Sequence, residues 1–164
     1  MPTLSLFLFG SFHAVLDGRP VTGFESNKVR ALLAYLAVEA ERSHSRDELL
    51  GLFWPERPEI AARANLRQAL ANLRRGLGDR GERDGEAALI HHGPDGIQLA
   101  RSCHPSVDVL AFASLLTECQ QHAHRQLETC LSCTRRLQQA VELYYGDFLA
   151  RFTPSGSAAF EEWI

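Results

Sequence analysis

The sequence predicts an α+β chain: a small N-terminal antiparallel sheet, then a winged helix-turn-helix, then an α-helical hairpin of repeat type. Three observations carry this reading. Residues 3–9, TLSLFLF, are dense in Leu and Phe, and the His13–Leu16 run behind them ends in Asp17-Gly18, a strong hairpin signal. Residues 45–77 spell a short capped helix, a tight turn and a long cationic amphipathic helix. After Pro105 the composition changes to two amphipathic helices joined by a polar, His-rich link.

The chain has 164 residues, 45% apolar and 23% charged, which is ordinary for a globular protein and allows one domain, or one small domain plus part of another. A net charge of −3 speaks against coating nucleic acid through bulk charge. It leaves room for a local footprint: between Glu56 and Arg75 five arginines face two acids, so this segment alone is +3. The opening LSLFLFGSF has no basic flank and no small-residue cleavage site, so it reads as a strand and not as a signal peptide. No run approaches the ~18 apolar residues of a membrane span. The expected compartment is the reducing cytoplasm, where the four cysteines are not disulfides by default.

Taken in order, the first strand is residues 3–9, bounded by Gly10. His13–Leu16 and Arg19–Thr22 form the hairpin around Asp17-Gly18. Ser26 or Asn27 caps a helix whose apolar positions Val29, Leu32, Leu33, Leu36 and Ala37 recur at helical spacing. Lys28 and Arg30 at its start oppose the helix dipole, which hints that together they meet an anion, while either one alone reads better as a solvated surface residue. Ser45 with Glu48 three residues on is a capping box, opening a short helix to Phe53 that Trp54-Pro55 ends. Pro58 suits the first position of the next helix, 58–77.

In that helix Leu66, Leu70, Leu73 and Leu77 form one stripe, with Ala62 and Ala69 at its edge. The opposite face carries Arg67, Gln68, Asn72 and Arg75, spaced by Ala61, Ala64 and Ala71, with Arg63 and Arg74 on the flank. Small residues let a helix enter a groove about 12 Å wide, and Arg, Asn and Gln pair bidentately with base edges. Taken alone, the same face also suits a solvated helix; its context favours the groove. Gly78–Gly85 is a polar loop, and Ala87–His92 and Ile97–Ala100 around Pro94-Asp95-Gly96 are two strands placed as a wing. His91, His92 and Arg101 stand where a wing approaches phosphates or the minor groove, and equally where ordinary polar loop residues stand.

The predicted boundary lies between residues 103 and 104, with 1–103 a winged-helix domain and 104–164 the beginning of an all-helical domain. Asp108 caps the first helix of that part, with Val109, Phe112, Leu115, Leu116 and Cys119 on its apolar side. The second has Cys130, Cys133, Leu137, Val141 and Tyr144 on one stripe. Such a pair resembles one unit of a superhelical, TPR-like repeat, which needs stacked neighbours. Residues 160–164 look like a further helix starting, so the chain is expected to be the front of a longer protein.

Cys130-x-x-Cys133, with Cys119, His122 and His124 nearby, has the ligand types and helix-start placement of a structural zinc site. The competing reading makes these cysteines small core residues, since they share a stripe with Leu137 and Val141. No other cofactor is implied. No phosphate-cradling Gly-rich loop, nucleophile triad or distinctive carboxylate pair is present, and His13, His44 and His104 read as surface or satisfied polar groups, so an enzyme is not expected.

The segments LFLFGSFHAVLDGRPV, NKVRALLAYLAVE, HSRDELLGLFWPERPEIAARANLRQALANLRRGL, VDVLAFASLL and ELYYGDFLARF together resemble the Streptomyces antibiotic regulatory protein family of transcriptional activators, over essentially the whole chain. The resemblance implies an OmpR/PhoB-type winged helix joined to a bacterial transcriptional activation domain, cytoplasmic and not membrane-bound. It implies binding to direct-repeat double-stranded DNA, head-to-tail pairing of two copies, and recruitment of RNA polymerase. Carried onto this chain, the DNA-facing positions are Arg63, Asn65, Arg67, Gln68, Asn72 and Arg75, with Arg74 near the backbone. Ala71 stands where the family often has a polar or basic residue, which thins base readout. Gly76 in the family's Arg-Arg-x-Leu is expected to fray the helix end, at roughly 1 kcal/mol relative to Ala. The alternative function is a protein–protein adaptor that uses the same elements as a scaffold, which has no need of a cationic, alanine-spaced face.

Overall fold

The computed structural model describes residues 3–79, 88–100, 105–123, 126–150, 152 and 156–164. The fold is mixed α+β. Strands β1 (Leu4–Phe7), β2 (His13–Leu16) and β3 (Arg19–Pro20) open the chain. Leu4, Leu6 and Leu8 are fully buried while Phe7 is exposed, the period-2 alternation of a sheet with one face on the core. Asp17 and Gly18 both have positive φ, 49° and 75°, the left-handed pair that suits a two-residue hairpin turn. Leu4 pairs with Leu16 and Leu6 with Ala14.

Helices α1 (Asn27–Val38), α2 (Arg46–Phe53) and α3 (Glu59–Gly76) follow. The Ser26 and Ser45 hydroxyls accept from the Val29 and Glu48 backbone N–H groups, as their cap positions predict. Pro58 stands one position before α3. Strands β4 (Ile90–Gly93) and β5 (Gly96–Leu99) form a separate two-stranded sheet behind α3. Helix α3 holds its helical form through Gly76, and the expected fraying is not found. A Cβ at Gly76 would come within 3.1 Å of the Phe24 ring, so glycine is there for close packing.

An element absent from the sequence reading is β6 (Ser106–Val107), which pairs parallel with β1 and completes the order β3-β2-β1-β6. Asp108 follows it as the first residue of α4 (Asp108–Gln121), and the cap position itself is Val107. The buried Asp108 carboxylate accepts from the backbone N–H groups of Leu8 at 2.8 and 2.9 Å, of Phe9 at 3.0 Å and of Val109 at 2.8 Å. It ties the end of β1 to the start of α4. A 3-10 turn, Leu127–Thr129, then leads to α5 (Leu131–Leu143).

Helices α4 and α5 run antiparallel, because Cys119 meets Cys133 near one end and Phe112 meets Tyr144 near the other. Their mutual interface is thin. Only Asp108 and Cys119 of α4 and Cys133 and Ala140 of α5 are buried. Val141 is 71% exposed, so the buried stripe of α5 runs through Cys133 and Ala140 and leaves Val141 and Tyr144 outside. Beyond α5, Leu149 N–H donates to the Leu8 carbonyl and Gly10 N–H to the Asp147 carbonyl, returning the chain to the end of β1.

Helix α6 (Ala158–Trp163) packs on α1 and α2, with Phe160 fully buried against Phe53 and Trp163 edge-on to Tyr35. The Ser157 hydroxyl donates to the Leu52 carbonyl, and Trp163 Nε1 to Glu39. One buried apolar cluster therefore takes in Leu4, the leucines of α1 and α3, Val107, Leu149 and Phe160.

A polar network holds α2 on α1. Arg42 donates both guanidinium nitrogens to Glu48, at 2.7 and 3.2 Å, and the Tyr35 hydroxyl donates to the same carboxylate at 3.1 Å. The Arg42 guanidinium, helped by His44 and Tyr35, holds the Glu48 carboxyl down to about 2. A depressed carboxylate stabilises the fold above its unfolded pKa and loses that contribution as pH falls through its folded value. Stability should therefore drop between about pH 4.5 and 2 through this group. Because the pair is partly exposed, its worth at neutral pH is about 1 kcal/mol. Glu48→Gln should lose that amount and flatten the acid limb of a urea-midpoint-versus-pH curve. Asp108→Ala leaves buried N–H groups of the β1 end without an acceptor. It should cost about 3 kcal/mol in urea unfolding, with Asp108→Asn costing less.

Candidate nucleic-acid interface

Helix α3 buries Ala62, Leu66, Ala69, Leu70 and Leu73, with Leu77 just beyond it, as the stripe predicts. Arg63, Arg67, Gln68 and Arg75 are exposed on its outer side, Asn65 and Arg74 are half-buried, and Ala64 and Ala71 leave the surface between them low. Asn72 departs from the expected outer face. It is 1% exposed; its Oδ1 accepts from Glu25 N–H at 3.1 Å and its Nδ2 faces the Gly23 carbonyl at 3.5 Å. The reason is helical phase: Asn72 lies between Ala69 and Leu73 on the buried side, where the segment before α1 offers a donor and an acceptor. Its amide is spent inside the fold.

The outward cations differ in how they are held. Arg63 pairs with Glu59 at 2.8 Å and with Asp47 at 3.5 Å, and Arg75 with Glu25 at 3.0 Å. Arg74 Nη2 donates to the Ile90 carbonyl at 3.3 Å. Among the described residues, Arg67 and Gln68 have no side-chain partner.

Lys28 does not point at an empty anion site. Its ammonium donates to the Phe53 carbonyl at 2.8 Å and lies 5.5 Å from the Trp54 ring centroid. The cation that opposes its own helix dipole thus complements the C-terminal end of α2. Burial, then Arg57, pushes its pKa down. Lys28, Arg57, Asn65 and Gln68 share a polar cavity of about 810 Å³ beside the α2–α3 turn.

The β4–β5 hairpin is fastened to the helices at both strands. Asp79 accepts from Ile90 N–H at 2.9 Å, and His44 exchanges backbone hydrogen bonds of 2.9 and 2.8 Å with Ile97. Gln98 donates to the Ala40 carbonyl at 2.7 Å and Ser43 to the Asp95 carbonyl at 2.8 Å. His44, expected to be a satisfied or surface group, is fully buried with its ring nitrogens toward Glu48 and the Glu39 carbonyl. His91 and His92 are exposed on β4, while Arg101 and Ala87 lie outside the described residues.

Between α2, α3 and this hairpin lies a cleft of about 370 Å³, lined by Arg46, Arg63, Arg67, Arg74 and His92 over a floor of Leu66, Leu70 and Ala71. Among the described residues its lining includes no acidic side chain. Arg46 donates to His92 Nε2, and partial burial, then Arg46 and Arg74, holds the imidazole pKa low, so His92 accepts at neutral pH. The sequence reading missed Arg46, which reaches the cleft only through the packing of α2 against β4. It also missed Ile60, 86% exposed at the α3 N-terminus.

Of the residues read as metal ligands, the structure brings Cys130 and Cys133 together with His122. Cys119 stands apart: its thiol donates to the Cys133 carbonyl at 3.6 Å in the helix interface. His124 lies outside the described residues. Among the described residues no helix is long and apolar enough to cross a membrane.

No protein-family model matches the chain. It is similar to the transcriptional regulatory protein EmbR of Mycobacterium tuberculosis and of Mycobacterium bovis, 36% identical over 78 residues. That match covers 48% of this chain and 20% of the relative, so the chain spans about a fifth of the curated proteins it matches. The solved structure of M. tuberculosis EmbR in complex with a low-affinity phosphopeptide shares the fold. The TM-score is 0.70 at 23% identity, over 99% of this chain and 41% of that one. The expectation of a non-enzyme accords with likeness to a transcriptional regulatory protein.

Gly96 tests how the hairpin is placed. Its φ is +120°, and a Cβ there would lie 2.4 Å from the His44 carbonyl oxygen. Gly96→Ala should break the His44–Ile97 bridge and cost more than about 2 kcal/mol in thermal or urea unfolding.

Proposed function

We propose that the chain binds double-stranded DNA in a sequence-specific way, as the reading part of a bacterial transcriptional activator of the Streptomyces antibiotic regulatory type. In this reading residues 1–103 are an OmpR/PhoB-type winged helix, α3 is the recognition helix and β4–β5 is the wing. Residues 104–164 belong to a TPR-like activation domain. Recruitment of RNA polymerase, direct-repeat sites, head-to-tail pairing of two copies and a cytoplasmic location come with the family resemblance.

The observation that carries the proposal is the cleft beside α3. A chain of net charge −3 gathers four arginines there, of which Arg63 is paired with Glu59 and Asp47 outside the cleft, and none of the described residues of the lining is acidic. A concave cationic wall next to a low, alanine-spaced helix face matches a phosphate strand flanking a major groove. Arg67 and Gln68, without side-chain partners among the described residues, are the base-reading pair. Arg46, Arg63, Arg74 and His92 fix register on phosphates. Ile60, Ala64 and Ala71 offer apolar contact to thymine methyl groups.

Selection of bound sequences from random duplexes, followed by gel-shift titration at several salt concentrations, tests this. Arg67→Ala and Gln68→Ala should each relax preference by about 1–3 kcal/mol at one base step. Arg46→Ala should weaken all sequences alike and lower the salt slope by about one. Unchanged binding in all three variants removes α3 from the DNA.

A further inference from the structure

We propose that His122, Cys130 and Cys133 hold a zinc ion that clamps the connected end of the α4–α5 hairpin. His122 immediately follows α4, Cys130 immediately precedes α5, and Cys133 lies in the first turn of α5. Both thiol sulfurs lie 3.4 Å from His122 Nδ1, and the three ligand atoms are all within 4.8 Å of one another. Tetrahedral zinc, with bonds of about 2.3 Å to sulfur and about 2.0 Å to nitrogen, sets sulfur and nitrogen roughly 3.6 Å apart. Both sulfur–nitrogen separations are therefore already close to that distance. Two thiolates and an imidazole are a borderline-soft set that suits zinc and disfavours magnesium or calcium.

Two further observations separate this from three core side chains that happen to meet. His122 is exposed and Cys130 half-buried, so burial alone does not explain their convergence on Cys133. The hairpin also needs a tie, since each helix buries only two residues. A metal bound by ligands from both helix ends supplies stability that so thin a core lacks. Arg136, which pairs with Glu118 at 2.9 Å, acts electrostatically on Cys130 and Cys133, and its Nη1 is buried without a hydrogen-bond partner among the described residues.

The test is metal analysis of the full 164-residue chain, purified without chelator and without a polyhistidine tag, with cobalt(II) titration of the metal-stripped protein. One zinc per chain is expected, with thiolate-to-cobalt charge transfer and the strong visible bands of tetrahedral cobalt. His122→Ala and Cys130→Ser, chosen because neither side chain is fully buried, should each lose at least about tenfold in zinc affinity and weaken the charge-transfer band. Chelator should lower the melting temperature of the parent chain and leave Cys130→Ser unmoved. Absence of zinc after exposure to it, with no charge-transfer band, overturns the proposal; so does undiminished zinc binding in both variants. None of these readouts involves DNA.

Discussion

Helix α3 can bury Leu66, Leu70, Leu73 and Leu77 against α1 and α2 in only one rotation, and that rotation decides which polar side chains face outward. The seam is mostly apolar, and an apolar seam alone tolerates sliding. Asn72 makes it specific. Its amide meets one backbone N–H and one carbonyl in the Gly23–Glu25 segment, which ends the approach to α1. Rotating α3 by a single residue would bury an arginine or glutamine and strand those groups, a cost of about 1–3 kcal/mol for each unpaired group. Gly76 closes the same seam further along, where a Cβ would crowd the Phe24 ring at 3.1 Å. The cationic outer face is thus a consequence of the inner one.

Much of this was legible in the sequence because it is local. The capping serines, the Asp17-Gly18 turn and the leucine stripe each depend on residues within one or two turns, and each lies where the pattern puts it. What escaped depends on contacts between distant segments. Ser106–Val107 is too short for any periodicity and becomes a strand only because β1 has a free edge. Asp108 reads as a helix cap, yet its carboxylate serves Leu8 and Phe9, a hundred residues away for Leu8. Asn72 has the composition of a reading residue and the phase of a core one, and only the donor at Glu25 resolves the two. Arg46 enters the cleft through packing of α2 on the β4–β5 hairpin, which no local signal encodes.

The second half of the chain is not an appendage. β6 extends the first sheet, Asp108 caps the end of β1 with its side chain, and Leu149 returns to the Leu8 carbonyl. Phe160 and Trp163 then pack on Phe53 and Tyr35, and Trp163 reaches Glu39 at the end of α1. The α4–α5 hairpin therefore projects from a base fixed on the same core that orients α3. Among the described residues its far end has no such base, and that end is where His122, Cys130 and Cys133 converge.

The cations beside α3 form a hierarchy set by what each would give up to meet an anion. Exposed pairs such as Arg75–Glu25 and Arg63–Asp47 are worth about 0–1 kcal/mol and are cheap to exchange. Arg74, half-buried with one nitrogen on the Ile90 carbonyl, helps hold the hairpin and is constrained in where its charge can go. Lys28 is committed to the end of α2. Arg67 and Gln68 exchange nothing, because among the described residues they hold no side-chain partner. In the proposed DNA-binding reading of a chain whose overall charge repels polyanions, affinity comes from such local, inexpensive contacts, and discrimination from Arg67 and Gln68, which hold no side-chain partner among the described residues.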